Sequence, residues 1–251
     1  MIASLMMYAR PELESAHQRY WALIREALAE RGIESPATLS NAAEEFSVWR
    51  APDLVVSQTC GMPYRLWLHG DVGLVGTPDY GLQDCPPGYY RSPVVVRLDD
   101  DRAGLEAFRE AHFAYNVSHS QSGFASIYNT VAPRGFWFES RIETGGHYAS
   151  AKAVAEGQAD LAALDAVTWT LIQRYDDFAR KLRVLEWTAP TPGLPYITGT
   201  HMDAAQVFDA ISSAIDRLEA GDRADLMLQG LVRIPKETYL AVPNPPAETR
   251  N

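Results

Sequence analysis

Asn116-Val117-Ser118-His119-Ser120-Gln121-Ser122-Gly123-Phe124 is the segment around which the chain is organised. The apolar run Phe113-Ala114-Tyr115 precedes it, and Phe124, Ile127, Tyr128 and Val131 follow at helical spacing before Pro133. The pattern predicts a strand that ends, a turn crowded with hydroxyls and a helix that begins. Ser120 or Ser122 can cap that helix, whose first N–H groups face outward with the positive end of its dipole. Such a start is a ready anion site, and it is equally an ordinary serine cap.

A second junction of the same kind follows. Thr144-Gly145-Gly146-His147 comes after the alternating run Phe136-Trp137-Phe138-Glu139, read as a strand, and opens a helix carrying Ala149, Ala153, Val154 and Ala155. Gly157 ends that helix as a C′ residue. The glycines allow backbone N–H groups to approach a ligand, with His147 at the mouth. Two such junctions in succession lie at one carboxyl edge of a sheet, where α/β folds bind ligands.

A third polar junction lies upstream. The apolar strand Asp53-Leu54-Val55-Val56-Ser57 runs into Gln58-Thr59-Cys60-Gly61-Met62-Pro63. These residues form either an opposing jaw of a ligand site or a tight βα loop with an inert thiol, and no base can be paired with Cys60 as a nucleophile. Further along, Asp160-Leu161-Ala162-Ala163-Leu164-Asp165 reads as a strand. Its Asp165 either meets a ligand or caps the following helix.

The remaining elements alternate. Met1–Tyr8 reads as a first strand, and a helix carrying Leu13, Ala16, Tyr20, Leu23, Ile24 and Ala27 ends at Gly32. Strands are predicted at residues 72–76, 92–98 and 182–187, with a helix after Asp99-Asp100-Asp101 that carries Leu105 and Phe108. The acidic run suits a helix start and lacks the spacing of a metal site. A long helix from Val207 to Gly221 and a shorter one to Gly230 follow, and the tail after Pro243 reads as unstructured.

The composition excludes several classes. The chain has 251 residues, 47% of them hydrophobic and 22% charged, enough for two lobes of an ordinary globular protein. A formal net charge of −10 argues against nucleic acid as a general partner. The two cysteines, Cys60 and Cys85, have no metal spacing and make no disulfide framework. No apolar run approaches the roughly 20 residues of a membrane span. Met1–Tyr8 lacks the features of a signal peptide, so the chain as written is expected in the cytoplasm. A periplasmic location is expected if an export segment has been removed and Met1 added.

Alternating strands and helices predict an α/β protein with two Rossmann-like lobes and mixed, mainly parallel sheets. Proline-marked passages at Pro93 and at residues 190–195 bracket an inserted lobe of residues 91–187. Residues 1–90 and 188–251 form the other lobe, and two crossings between lobes make a hinged cleft.

In this arrangement the chain resembles the substrate-binding proteins of phosphate and phosphonate ABC transporters, the type II periplasmic-binding-protein fold. The resemblance extends from Met1 to about Tyr239. It rests on Ser4-Leu5-Met6-Met7-Tyr8, Ser57-Gln58-Thr59-Cys60-Gly61, Pro87-Gly88-Tyr89-Tyr90 and Ser120-Gln121-Ser122-Gly123-Phe124. Gly146-His147 with the alanines behind it, residues 160–165 and Pro192-Gly193-Leu194-Pro195 complete it. The resemblance implies that Ser120, Gln121, Ser122 and Gly123 grip an oxyanion, that His147 adds an imidazole, and that Tyr89 lines the cleft. Tyr8 and the turn Gln58, Thr59 and Cys60 are the implied contributions of the first lobe. Gln121 stands where relatives commonly carry threonine or serine, which removes one hydroxyl.

Three readings follow. The leading one is a non-enzymatic binder of a small oxyanion, phosphate or a phosphonate, with an ABC transporter permease as partner and no cofactor or metal. The second is a cytoplasmic enzyme on the same fold, similar to chorismate dehydratase or to pyrimidine-forming thiamin enzymes, though no nucleophile–base pair is apparent. The third is an intracellular ligand sensor.

Overall fold

In the computed structural model, which describes residues 1–250, the chain divides into two units: Met1–Tyr89 with Pro192–Ala241, and Tyr90–Thr191 with the residues from Val242 on.

The first unit is built on five strands in the order Ile2–Ser4, Leu54–Gln58, Tyr196–Gly199, Val72–Asp79 and Gly230–Val232. The first two run parallel and the other neighbours antiparallel, so three strands point one way and two the other. Leu54–Gln58 is buried along its whole length, as the run Leu54-Val55-Val56 leads one to expect, and the burial extends to the polar Ser57 and Gln58. Helix Glu14–Ala29 buries Tyr20, Ile24, Ala27 and Leu28 at three- and four-residue spacing and packs on helix Ala204–Asp216. Asp203 caps the second helix by accepting from Ala205 N–H at 2.9 Å and Gln206 N–H at 3.4 Å.

The second unit also has a five-stranded sheet, ordered Arg141–Glu143, Phe113–Tyr115, Leu161–Ala163, Pro93–Arg97 and Leu182–Trp187. Four of the five strands point the same way, and the reversed strand Pro93–Arg97 makes its own two pairings antiparallel. Period-two alternation assigns the faces. Val94, Val96, Phe113, Leu161 and Ala163 meet Leu105, Phe108, Ile127 and Val131 on one side. Val95, Ala114 and Ala162 meet Ala151, Val154, Trp169 and Ile172 on the other. Both faces are covered, as the alternation of strands and helices predicts.

Several expected elements are shorter or displaced. The first strand stops at Ser4, and Met6–Tyr8 is a 3₁₀ turn. The helix expected after the acidic run is one 3₁₀ turn, Leu105–Phe108, opened by Gly104 at φ 74°. Residues 136–139 are not a strand; the strand that pairs with Phe113–Tyr115 is Arg141–Glu143. Phe136 and Phe138 are instead buried in the core, and Trp137 lies edge-on to Phe113, Phe124 and Tyr128. Aromatic packing accounts for the apolar alternation that reads as a strand. The long helix stops at Asp216, a separate helix covers Ala220–Asp225, and Gly230 begins a strand. Residues from Val242 on group with the second unit, whereas the sequence reading placed them with the first. Asn129 Nδ2 donates to the Pro243 carbonyl at 3.0 Å, and Ala247–Arg250 forms a 3₁₀ turn where no structure was expected.

Candidate functional site

Three adjacent strands of the second unit are parallel: Arg141–Glu143, Phe113–Tyr115 and Leu161–Ala163. Each runs into a helix, so three helix starts lie along one carboxyl edge. Asp165 closes the third of them: it is 2% exposed and its carboxylate accepts from Val167 N–H at 2.8 Å and Thr168 N–H at 3.0 Å. Of the two sequence readings of Asp165, the structure displays the cap. The other two starts, at Gln121 and His147, carry no carboxylate cap.

At the first start Ser120 is the N-cap, with its Oγ accepting from Gly123 N–H at 3.0 Å. The helix opens in π geometry over Gln121–Ala125, with Ala125 N–H reaching back to the Ser120 carbonyl, and continues as Ser126–Val131 in α geometry. Short π segments recur at functional sites, and here the wider turn sets the orientation of the first N–H groups. Behind it, Phe124 is fully buried and meets Tyr115 and Trp137 edge-on, at 5.0 and 5.2 Å between ring centres. This aromatic packing fixes the helix start against the sheet. Ser120→Ala is expected to cost about 1 kcal/mol of folding stability, the usual loss for an N-cap. Urea unfolding of the variant beside wild type measures it.

At the second start Gly146 precedes helix His147–Ala155. The two junctions are tied together by backbone bonds, Thr144 N–H to the Tyr115 carbonyl at 2.9 Å and Gly145 N–H to the Asn116 carbonyl at 2.8 Å. The Thr144 hydroxyl adds contacts to the Tyr115 carbonyl at 3.0 Å and to Ser150 Oγ at 2.6 Å. His147 is thereby carried to the first junction. Its Nε2 lies 2.9 Å from Ser122 Oγ and 3.4 Å from Asn116 Nδ2. The residue keeps some surface, but Nδ1 has none and no partner of good hydrogen-bond geometry. Burial holds the imidazole pKa down at about 4, while the Ala163 carbonyl acts the other way. The ring is therefore neutral at neutral pH.

Ser120, Gln121, Ser122, Gly123 and His147 are thus brought to one place in the second unit. Asn116 and Thr144 are parts of it that sequence reasoning did not single out. An asparagine directly after a strand that enters a serine-rich turn is the signal that could have found the first. Thr144, a hydroxyl directly before two glycines, is the corresponding signal for the second.

The candidates in the first unit form a separate group. Gln58 is 3% exposed, and its Nε2 donates to the Tyr80 hydroxyl and the Leu194 carbonyl, both at 3.1 Å. Tyr8 meets Tyr80 edge-on at 5.2 Å. Thr59 is fully buried, with its N–H on the Pro195 carbonyl at 3.0 Å, and the Cys60 thiol is also buried. Tyr89 is half-buried against the core containing Tyr64, Ile234 and Tyr239. Among the described residues, no group of three or more His, Cys, Asp or Glu side chains could hold a metal ion. No helix among them is long and apolar enough to cross a membrane.

The family profile described as ABC transporter, phosphonate, periplasmic substrate-binding protein matches residues 74–236, more than half of the chain. This chain belongs to the phosphonate ABC-transporter substrate-binding family. Proteins of this family are solute-binding components of transporters and not enzymes. No curated protein sequence matches the chain. PhnD1 from Prochlorococcus marinus, solved in complex with methylphosphonate, shares 14% identity, with 95% of this chain and 93% of that one covered and a TM-score of 0.71. A binding protein component of an ABC phosphonate transporter from Pseudomonas aeruginosa shares 15%, covering 95% of this chain and 82% of that one, with a TM-score of 0.68. A protein from Xanthomonas citri bound to ATP shares 17%, covering 94% and 91%, with a TM-score of 0.69. At these identities the likeness is one of fold, the α/β periplasmic-binding-protein arrangement with mixed sheets.

Proposed function

We propose that this protein binds a small phosphorus oxyanion, phosphate or a phosphonate, and delivers it to an ABC transporter permease. The observation that carries the reading is the pair of neighbouring helix starts at Gln121 and His147, held together by the Thr144 and Gly145 backbone bonds. The groups around them are neutral: the Ser120 and Ser122 hydroxyls, the Asn116 amide and an uncharged imidazole. Helix starts of this kind suit an oxyanion, because backbone N–H groups and the helix dipole both favour negative charge. The methylphosphonate held by the similar Prochlorococcus protein gives the anion a chemical class.

On this reading Tyr8, the Gln58–Cys60 turn and Tyr89 supply the first unit's share of the site, and the two units close on the ligand about the crossings at Tyr89 and Thr191. The family description supports residence in the periplasm. Phosphate or methylphosphonate is expected to raise the melting temperature, whereas neutral sugars are not. Ligand at about 100 times its Kd adds roughly 2.7 kcal/mol of stability. X-ray scattering at saturation should show a smaller radius of gyration with unchanged helix content. A shift with a carboxylate and none with phosphorus oxyanions overturns the ligand class.

A further inference from the structure

The chain passes between the units a third time. Two passages run through the paired segments Tyr89–Tyr90 and Thr191–Pro192, and the third comes after Ala241. Both ends of the third are fixed. On the first unit it leaves helix Lys236–Leu240, whose Tyr239 is 1% exposed. The Tyr239 hydroxyl donates to the Gly193 carbonyl at 3.0 Å, stands 2.5 Å from Thr77 Oγ1, and its ring meets Tyr64 edge-on. Lys236 Nζ donates to the His69 carbonyl at 2.8 Å. On the second unit the Pro243 carbonyl accepts from Asn129 Nδ2 at 3.0 Å, and Pro245 is buried. Pro243, Pro245 and Pro246 hold their own φ angles, so this segment has little freedom to lose when it docks. From Leu240 to Pro243 the chain can reach at most about 11 Å.

We propose that residues 241–246 are a strap that limits how far the two units swing apart and so keeps the free protein close to its binding-competent form. The inference rests on the reading of two units that close on a ligand. The first two passages lead into strands Pro93–Arg97 and Leu182–Trp187, whereas the strap lands on helix Ser126–Val131. A link set apart from a pair of crossings opposes rotation about them. The sign of its effect follows from elementary mechanics: a short length of chain resists stretching and does not resist slackening. Opening is therefore restrained and closing is left free. The helix that receives the strap continues directly from the turn Gln121–Ala125, so the restraint acts on the element that carries the first anion-binding start.

Lengthening the strap tests this without removing any of its contacts. An insertion of Gly-Ser-Gly-Ser-Gly-Ser between Ala241 and Val242 adds up to about 20 Å of reach. X-ray scattering of the free variant is expected to give a larger radius of gyration than wild type, with unchanged circular dichroism. At saturating methylphosphonate the two proteins should have the same radius. Calorimetry should show methylphosphonate binding about three- to tenfold more weakly to the variant, because a smaller fraction of the free protein is competent. Asn129→Ala, which leaves the chain length unchanged and removes the bond to Pro243, should move both readings the same way by less. Wild-type radius and wild-type affinity in the lengthened protein overturn the strap while leaving the ligand reading in place. If wild type itself binds no methylphosphonate, the ligand reading falls, and the radius of the free proteins alone decides the strap.

Discussion

Gly123→Ala is expected to lose phosphate and methylphosphonate binding while the protein still folds. A Cβ at this position would stand 2.0 Å from Asn116 Oδ1, 2.9 Å from Asn116 Cγ and 3.0 Å from His147 Cε1. The backbone angle is not at issue, because Gly123 is not among the glycines with positive φ. Space is. The helix start comes so close to Asn116 and His147 that only a hydrogen atom fits between them. Overpacking of this kind costs about 1–3 kcal/mol, and turning the two side chains aside relieves it. On the proposed reading of the site, relief at that point turns the imidazole and the amide away from the bound anion. Affinity should fall by roughly a hundredfold or more. Gly221, in a helix with open space around it, provides the control, and Gly221→Ala should bind as wild type does. Calorimetry with methylphosphonate on the two variants decides it. Wild-type affinity in Gly123→Ala would place the anion away from the Asn116–His147 pair.

The legible part of this molecule was its sequence of strand-to-helix junctions. Ser120 and Gly123 announced a helix start, and the structure places one there with Ser120 as its cap. Gly146-His147 announced another, and the parallel pairing of Phe113–Tyr115 with Arg141–Glu143 brings the two side by side. The register of that pairing was not legible, because the aromatic run at residues 136–138 imitates the alternation of a strand. Its side chains alternate to fill a core and to meet Phe113, Phe124 and Tyr128 edge-on, which period-two reasoning cannot tell from a pleat. The part played by Asn116 was hidden for a related reason. It is defined by contacts to His147, 31 positions later, and to Gly123, both set by packing and not by local pattern. Asp165 shows the opposite case. Its two roles were equally open in the sequence, and hydrogen bonds to Val167 and Thr168 N–H display the cap.

Acid should weaken the free protein through the same histidine that shapes the site. His147 has a pKa of about 4 in the fold because its ring is buried, against an ordinary value of 6.5. The unfolded chain therefore takes up this proton first as pH falls. The stability that comes from keeping the ring neutral is complete above about pH 6.5, declines between there and pH 4, and changes no further below. Its size at pH 4.5 is about 2–3 kcal/mol, a large share of a typical folding free energy. His17 and His119 are also held below the ordinary value by burial and act in the same direction. Carboxylates contribute to acid unfolding as well, so the total slope does not isolate His147. The difference between wild type and His147→Gln does, because glutamine fills the position without titrating. Urea unfolding from pH 7.5 to 4.5 should give stability curves that diverge in favour of the variant as pH falls. Parallel curves would mean that the ring of the free protein is solvated and titrates near its ordinary value.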